Sequence, residues 1–330
     1  MSPSTPVVPP KLRAGARVRV VAPSQSMGAI PMPWRTIADE RMDELGLEVS
    51  FGEHAGERDA FDSSSVASRL ADLHAAFADP EVDGILTFIG GFNANQLLAG
   101  LDLALVAANP KPFCGYSDIT VLSHAILTGA GVVTYSGPHW STFGMRDHFE
   151  DTLAWFRACL FDDAPVTLRP AAAWTDDAWF ADPDARDPQP GGWWVLQPGA
   201  ADGHLLGGNL STLNLLGGTR WWPSLDGAVV VVEDDFESHV HDFARNLQSL
   251  FHQPGADGIR GLVIGRFQTA SGVTRGLLTE LVERTPQLAG VPVVANTDVG
   301  HTNPLFTFPV GGRARLLADP SDPRLVLTRH

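Results

Sequence analysis

Pro112-Phe113-Cys114-Gly115-Tyr116-Ser117-Asp118-Ile119-Thr120 runs from a short apolar stretch through a glycine into a serine, and a helical pattern follows at Val121, Leu122, Ala125 and Ile126. A strand that turns sharply into a helix lifts a serine hydroxyl above a sheet, beside the free backbone N–H groups of a helix N-terminus. Access, restraint and amides aimed at a developing oxyanion are what a serine nucleophile needs. The same letters also describe an ordinary helix cap, with Ser117 or Asp118 accepting a backbone N–H of the first turn. The segment alone leaves both readings standing. Either way its local order is strand, turn, helix.

The neighbouring segments extend that order. Residues 17–22 alternate as a strand that ends at Pro23-Ser24, 35–45 are helical, and 48–51 are extended. Residues 64–77 carry Val66, Leu70, Leu73 and Phe77 at helical spacing, with Ser63 to Ser65 offering a cap. An apolar strand at 84–89 leads into Gly90-Gly91-Phe92-Asn93-Ala94-Asn95, and a helix starts at Gln96. The strand at 112–114, a helix at 118–128 and a strand at 132–135 follow. Strands alternating with helices predict a parallel sheet, whose ligands bind outside the carboxyl ends of the strands. The 90–95 and 115–118 loops both belong at that edge.

Between 165 and 201 the pattern gives way to Asp, Pro, Gly and the tryptophans Trp174, Trp179, Trp193 and Trp194, as in a long connector or lid. A new unit then begins at Asp202-Gly203-His204-Leu205-Leu206-Gly207-Gly208-Asn209. It has strands at 228–232, 261–264 and 292–295 and helices at 243–251 and 274–284. The expected organisation is a disordered tail over 1–14, an N-terminal α/β domain over 15–165, a Trp/Pro/Gly-rich connector over 166–200 and a C-terminal domain over 201–330.

Composition narrows the function. The 330 residues carry a net charge of −15, against the basic face that nucleic acid or an anionic membrane calls for. No apolar run reaches the length of a membrane span, and the Pro/Ser-rich start has no apolar signal core. Cys114 and Cys159, the two cysteines, have no metal-type spacing and read as free thiols of a cytoplasmic protein. His239-Val240-His241 with Asp242 sets its two rings apart at a helix start, which argues against a metal site. Glu233 ends a β-branched strand, where a buried carboxylate needs a partner, although Asp234, Asp235 and Glu237 also permit a solvated acidic loop. His301 follows a glycine in a loop after the last of these strands. Ser117, Glu233 and His301 thus stand at separate strand ends, the distribution of a triad assembled in space.

The motifs 89–98 (Ile-Gly-Gly-Phe-Asn-Ala-Asn-Gln-Leu-Leu) and Gly115-Tyr116-Ser117-Asp118-Ile119-Thr120 resemble the serine peptidase family of LD-carboxypeptidases and microcin C immunity proteins. Tyr135-Ser136-Gly137-Pro138-His139-Trp140, Gly207-Gly208-Asn209-Leu210-Ser211-Thr212-Leu213, Val232-Glu233-Asp234 and Gly300-His301-Thr302-Asn303-Pro304 continue the likeness in the family's order, from about residue 15 to about 320. The Gly-Gly-Phe-Asn-Ala-Asn form and the Trp-rich insert are closer to the microcin-immunity branch.

That resemblance implies an α/β fold: an N-terminal parallel-sheet domain with a nucleophile elbow, and a C-terminal α/β domain with a barrel-like part. It implies Ser117 as nucleophile, His301 as general base and acid, Glu233 as the carboxylate orienting the imidazole, and backbone N–H groups of Gly91 and Asp118 as the oxyanion hole. It implies neither a metal nor an organic cofactor. The expected substrate is a small peptide or an aminoacyl-nucleotide, and relatives suggest a homodimer. Asn209 is an expected substrate contact. Trp193 or Trp194 either stacks on a nucleotide base or packs the connector onto the body. Glu237 stands where some relatives carry a basic residue, and an acid there repels an anionic group. Two rival readings are a murein tetrapeptide LD-carboxypeptidase and, from another class, a non-enzymatic small-molecule binder.

Overall fold

The computed structural model of the chain describes residues 5–330. The first half carries β1 (Arg17–Val21), α1 (Arg35–Glu44), β2 (Glu48–Phe51), α2 (Val66–Ala78), β3 (Gly84–Thr87), α3 (Leu103–Ala108), β4 (Phe113–Cys114), α4 (Thr120–Ala130), β5 (Thr134–Ser136) and α5 (Glu150–Phe161). The second half adds β6 (Val166–Leu168), β7 (Ala173–Trp174), β8 (Gln189–Pro190), β9 (Trp194–Gln197), β10 (Gly199–Asn209), α6 (Leu210–Asn214) and β11 (Ala228–Glu233). It closes with α7 (Val240–Phe251), β12 (Gly261–Gly265), α8 (Arg275–Glu283), β13 (Val293–Thr297), β14 (Phe308–Val310), β15 (Arg313–Ala318) and β16 (Arg324–Arg329).

The first sheet runs β2-β1-β3-β4-β5 with every neighbouring pair parallel. β3 and β4 are wholly buried, as strands with both faces covered must be, and their continuous apolar runs reflect it. A sixth strand, β14, arrives from the far end of the chain and pairs antiparallel with β5. The second sheet is ordered β6-β16-β15-β10-β11-β12-β13-β9, with a parallel centre from β10 to β13. α/β architecture therefore holds in both halves, and the parallel strands of each sheet end toward a common seam.

Along that seam α4 lies on β10. The Gly207 N–H donates to His124 Nε2 (3.2 Å) and the Asn209 N–H to Thr120 Oγ1 (3.1 Å). His124 Nδ1 in turn faces the Thr120 carbonyl at 2.9 Å, which fixes a neutral ring. Burial pushes its pKa down to about 4, and the bond to Thr120 only partly offsets that. The helix behind Ser117 is thus bonded directly to the sheet that carries Glu233.

Two sequence expectations need correction. The tail expected to be disordered over 1–14 is docked from Val7 onward; residues 1–4 lie outside the described residues. The Val133 N–H donates to the Val7 carbonyl at 2.8 Å, Leu12 is buried, and Lys11 Nζ donates to the Cys159 carbonyl. Backbone bonding to the chain at Val132 and Val133, the buried Leu12 side chain and the Lys11 bond hold this Pro-rich segment in place. The connector at 166–200 is not a free lid either. It supplies both edge strands of the second sheet, β6 against β16 and β9 against β13. Among the described residues no helix is long and apolar enough to cross a membrane.

Candidate active site

Ser117 sits one turn past the end of β4 with φ +59°, a conformation that few residues other than glycine adopt. The sharp reversal points its hydroxyl at the seam. The cap reading fails here: the cap position belongs to Tyr116 and makes no side-chain bond. Asp118 caps nothing; its carboxylate instead accepts Ser24 Oγ–H at 2.6 Å and the Ala94 N–H at 2.8 Å.

Across the seam, β11 ends at Glu233, which is 2% exposed. His301, on the loop after β13, bridges the two halves. Its Nε2 lies 3.1 Å from Ser117 Oγ and its Nδ1 2.8 Å from Glu233 Oε2. With the Nδ1 proton held by the carboxylate, Nε2 is left as the acceptor for the serine proton. Burial disfavours the charged His301 ring. The charge and hydrogen bond of Glu233, with Asp235 and Asp234 behind, outweigh that and raise its pKa above the ordinary histidine value. Gly300 has φ +112°, and a Cβ there would stand 2.7 Å from Glu233 Oε2. Only glycine lets the His301 loop come that close.

The diglycine turn completes the wall. A Cβ on Gly90 would fall 2.9 Å from Ser117 Cβ, so this backbone lies directly against Ser117. Gly91 has φ +144° and a Cβ there would collide with Ser24 Oγ. Gly91, Ser117 and Asp118 line one cavity of about 340 Å³, together with Asn209, Asp234 and Glu237 among others.

Other groups at the site had no role assigned from the sequence. Tyr116 stacks on His139 (centroids 4.4 Å apart) and leans on His301 (5.2 Å). His139 lies on Thr87 Oγ1 at 2.7 Å; burial, then the nearby His301, pushes its pKa down to about 3, so it stays neutral. Arg69, buried on α2, donates to the Pro23 and Asn93 carbonyls and to Gln96 Oε1, stapling the two loops that flank the elbow. Nothing in an amphipathic helix pattern marks an arginine for that task. Tyr116 and His139 both lie within the sequence motifs, which marked their stretches and not these contacts.

Asn209, at the end of β10, stands opposite Glu233 in the strand register. Its Oδ1 accepts the Thr212 N–H (3.0 Å) at the start of α6, and its Nδ2 donates to Asp234 Oδ1 (3.1 Å). Asp234 also accepts from Ser211 and Ser238. Burial first, then the adjacent Glu233 charge, raises the Asp234 pKa to about 6.

The two tryptophans named from the sequence do not line this cavity. Trp193 is 8% exposed, packs on Phe306, and donates Nε1–H to Asp298 Oδ2 at 2.7 Å. Asp298 is also paired with the buried Arg266 at 2.7 Å. No ring face of Trp193 is free for a base to stack on. Trp194 is half-buried on the edge strand β9.

Family models describe the two halves of the site separately. Residues 18–137 match the LD-carboxypeptidase N-terminal domain and residues 202–316 the LD-carboxypeptidase C-terminal domain. "Putative carboxypeptidase YocD" of Bacillus subtilis is 44% identical over 97% of this chain and 99% of its own. The chain belongs to the LD-carboxypeptidase family. It is a serine peptidase of that family. The crystal structure of an MccF-like protein from Bacillus anthracis superposes with a TM-score of 0.96 at 42% identity, over 98% of this chain and 100% of that one. The structure of MccF in complex with glutamyl sulfamoyl guanosine shares the fold, with a TM-score of 0.89 at 24% identity over 98% and 99% of the two chains.

Proposed function

We propose that this LD-carboxypeptidase relative is a carboxypeptidase-type amide hydrolase working through a Ser117-Glu233-His301 triad on aminoacyl- or peptidyl-nucleotides of the microcin C kind. The observation that carries the reading is the unbroken relay from Ser117 Oγ through His301 to Glu233, at 3.1 and 2.8 Å. In the reaction His301 Nε2 takes the Ser117 proton as Oγ adds to the amide carbonyl carbon. The oxyanion that forms is held by the Gly91 and Asp118 N–H groups. His301 then returns the proton to the departing nitrogen as the C–N bond breaks, leaving an acyl-serine. A water activated by the same imidazole hydrolyses that ester. Glu233 holds the ring in one tautomer and stabilises its charged form. Each oxyanion donor is worth about 3 kcal/mol of barrier.

Nucleotide-linked substrates are favoured by the MccF relatives, whose structures hold aminoacyl-sulfamoyl nucleosides. Relatives described as a probable murein peptide carboxypeptidase and a murein tetrapeptide carboxypeptidase support a second reading, release of the terminal residue of a murein tetrapeptide. Cys114 and Cys159, both buried free thiols, suit the cytoplasm where either substrate would be met. The experiment is a side-by-side assay of the purified protein on aminoacyl-sulfamoyl adenosines and on a murein tetrapeptide, with products identified by mass spectrometry. Cleavage of the former, abolished by Ser117→Ala, is the expected result. Cleavage of the tetrapeptide alone moves the enzyme to wall recycling, and no cleavage of either overturns the proposal.

A further inference from the structure

Arg69 and Asp118 are each 3% exposed and carry opposite charges, yet neither makes a direct ion pair with any of the described residues. They meet instead across one peptide group. Arg69 Nη1–H donates to the Asn93 carbonyl at 3.1 Å, and the Ala94 N–H donates to Asp118 Oδ2 at 2.8 Å. That carbonyl and that N–H belong to the same planar trans amide, so they point in opposite directions and the two charges lie on its two sides. The loop after β1 is held in the same way. Its Pro23 carbonyl accepts from Arg69 at 3.1 Å, and the next residue, Ser24, donates Oγ–H to Asp118 at 2.6 Å.

A buried charge needs a compensating partner. Here the compensation passes through the amide: a guanidinium on the carbonyl oxygen polarises the group and makes its N–H a stronger donor to the carboxylate. Turning the 93–94 peptide over would aim its carbonyl at a carboxylate and its N–H at a guanidinium, losing both bonds. Charge as well as packing therefore fixes the orientation. The preceding Gly90-Gly91 pair has no Cβ to restrain it, and Gly91 stands at φ +144°, so the turn depends on what holds the residues after it. Burial lowers the Arg69 pKa, and the charges of Asp59 and Asp118 oppose that.

We infer that Arg69 and Asp118 act as one ion pair relayed through the 93–94 peptide. Arg69, on α2 and outside the cavity at Ser117, is thereby a positioning residue for the proposed oxyanion donor at Gly91. The positioning role rests on the hydrolase reading; the relay itself does not.

The test is a double-mutant cycle on Arg69→Met and Asp118→Ala with two readouts. The first, the urea midpoint, needs no activity: the double variant should fall no further than the less stable single, whereas independent sites would add. The second is labelling of Ser117 by a fluorophosphonate, followed by intact mass. There the Oγ–P bond forms as P–F breaks, the serine proton passes to His301, fluoride leaves, and the P=O oxygen occupies the oxyanion hole. Each single should lower kinact by about a hundredfold with KI little changed, and the double by about the same factor rather than about ten-thousandfold. Arg69→Lys keeps the charge and should lose only about tenfold. Lys111→Met is the control. It removes another buried cation bonded to α2, at the Ala76 carbonyl (2.9 Å), and should lower the midpoint without slowing labelling. Additive midpoints, or an Arg69→Lys variant as slow as Arg69→Met, would overturn the inference. Should Arg69→Met not fold, the cycle starts from Arg69→Lys, and additivity there counts equally against it. A reactive wild type matched in rate by Arg69→Met removes the positioning role. A wild type that neither labels nor hydrolyses any probe refutes the hydrolase and the positioning role together, while the midpoints still decide the relay.

Discussion

The Asp118 carboxylate accepts the Ala94 N–H at 2.8 Å, which ties the residue after Ser117 to the loop that follows the diglycine turn. Ser24 Oγ–H reaches the same carboxylate at 2.6 Å, so three loops from three strand ends share one acceptor. Asp118 thereby fixes the spacing between the two proposed oxyanion donors without touching the reacting atoms through its side chain. Asp118→Ala is expected to lower kcat by about a hundredfold, the scale of one misplaced donor, with a much smaller change in KM. Asp118→Asn keeps one acceptor and should recover most of the loss. Steady-state kinetics of the two variants checks this, and equal rates for Ala and wild type would remove the positioning role.

Ser117 stores backbone strain. At φ +59° a serine costs about 1–3 kcal/mol that glycine does not. Ser117→Ala keeps that strain and Ser117→Gly releases it. The glycine variant should therefore be the more stable of the two by about 1 kcal/mol, opposite to the usual order in which glycine loses 0.5–1 kcal/mol, roughly, to alanine. Both should have lost hydrolysis by about four orders of magnitude or more. Urea midpoints of the two variants decide the first point; an alanine variant at least as stable as the glycine one shows no strain at the elbow.

In the proposed triad the acid side of the rate profile belongs to His301, which must be neutral to take the Ser117 proton. The groups facing it are Glu233 at Nδ1, Asp234 and Asp235 behind, and the neutral Tyr116 and His139. Because the carboxylates hold its pKa above the ordinary value against burial, activity should fall as pH drops through a point higher than an unperturbed histidine would give. Asp235→Asn removes one of those charges, lowers the His301 pKa, and should move the acid limb of kcat/KM to lower pH. A neutral substrate is the right probe, since Asp235 also faces the cavity. An acid limb that stays in place in the variant would separate His301 from the profile.

How far the site was legible in the sequence follows from which signals are local. The strand-turn-serine pattern at 112–120, the glycines at 90–91 and the β-branched run ending at Glu233 each express a backbone requirement in neighbouring residues, and they led directly to the seam. β10 did not declare itself. Its glycines at 199, 203, 207 and 208 are poor strand formers, and the strand holds through its partners β11 and β15. The crossing of β14 into the first sheet, and the use of β6 and β9 as edges of the second, depend on pairings far away in the chain. Arg69 and His139 are likewise set by what surrounds them, and local periodicity carries no record of it.

The tryptophan-rich connector illustrates the same point in energetic terms. Asp298 is wholly buried, and it accepts Arg266 Nη1 (2.7 Å), Trp193 Nε1 (2.7 Å) and the Ala171 N–H (3.0 Å). Arg266 in turn lies under the Trp174 ring at 4.9 Å. The connector is therefore clamped at both ends to one buried ion pair, where a missing donor leaves charge uncompensated. Trp193→Phe keeps the packing on Phe306 and deletes a single hydrogen bond to that carboxylate. It should lower stability by about 1–3 kcal/mol while leaving the KM for an aminoacyl-sulfamoyl adenosine unchanged. Denaturant unfolding and steady-state kinetics on the same variant separate the two roles. A large rise in KM with unaltered stability would return Trp193 to the substrate, and the clamp would then have to hold without it.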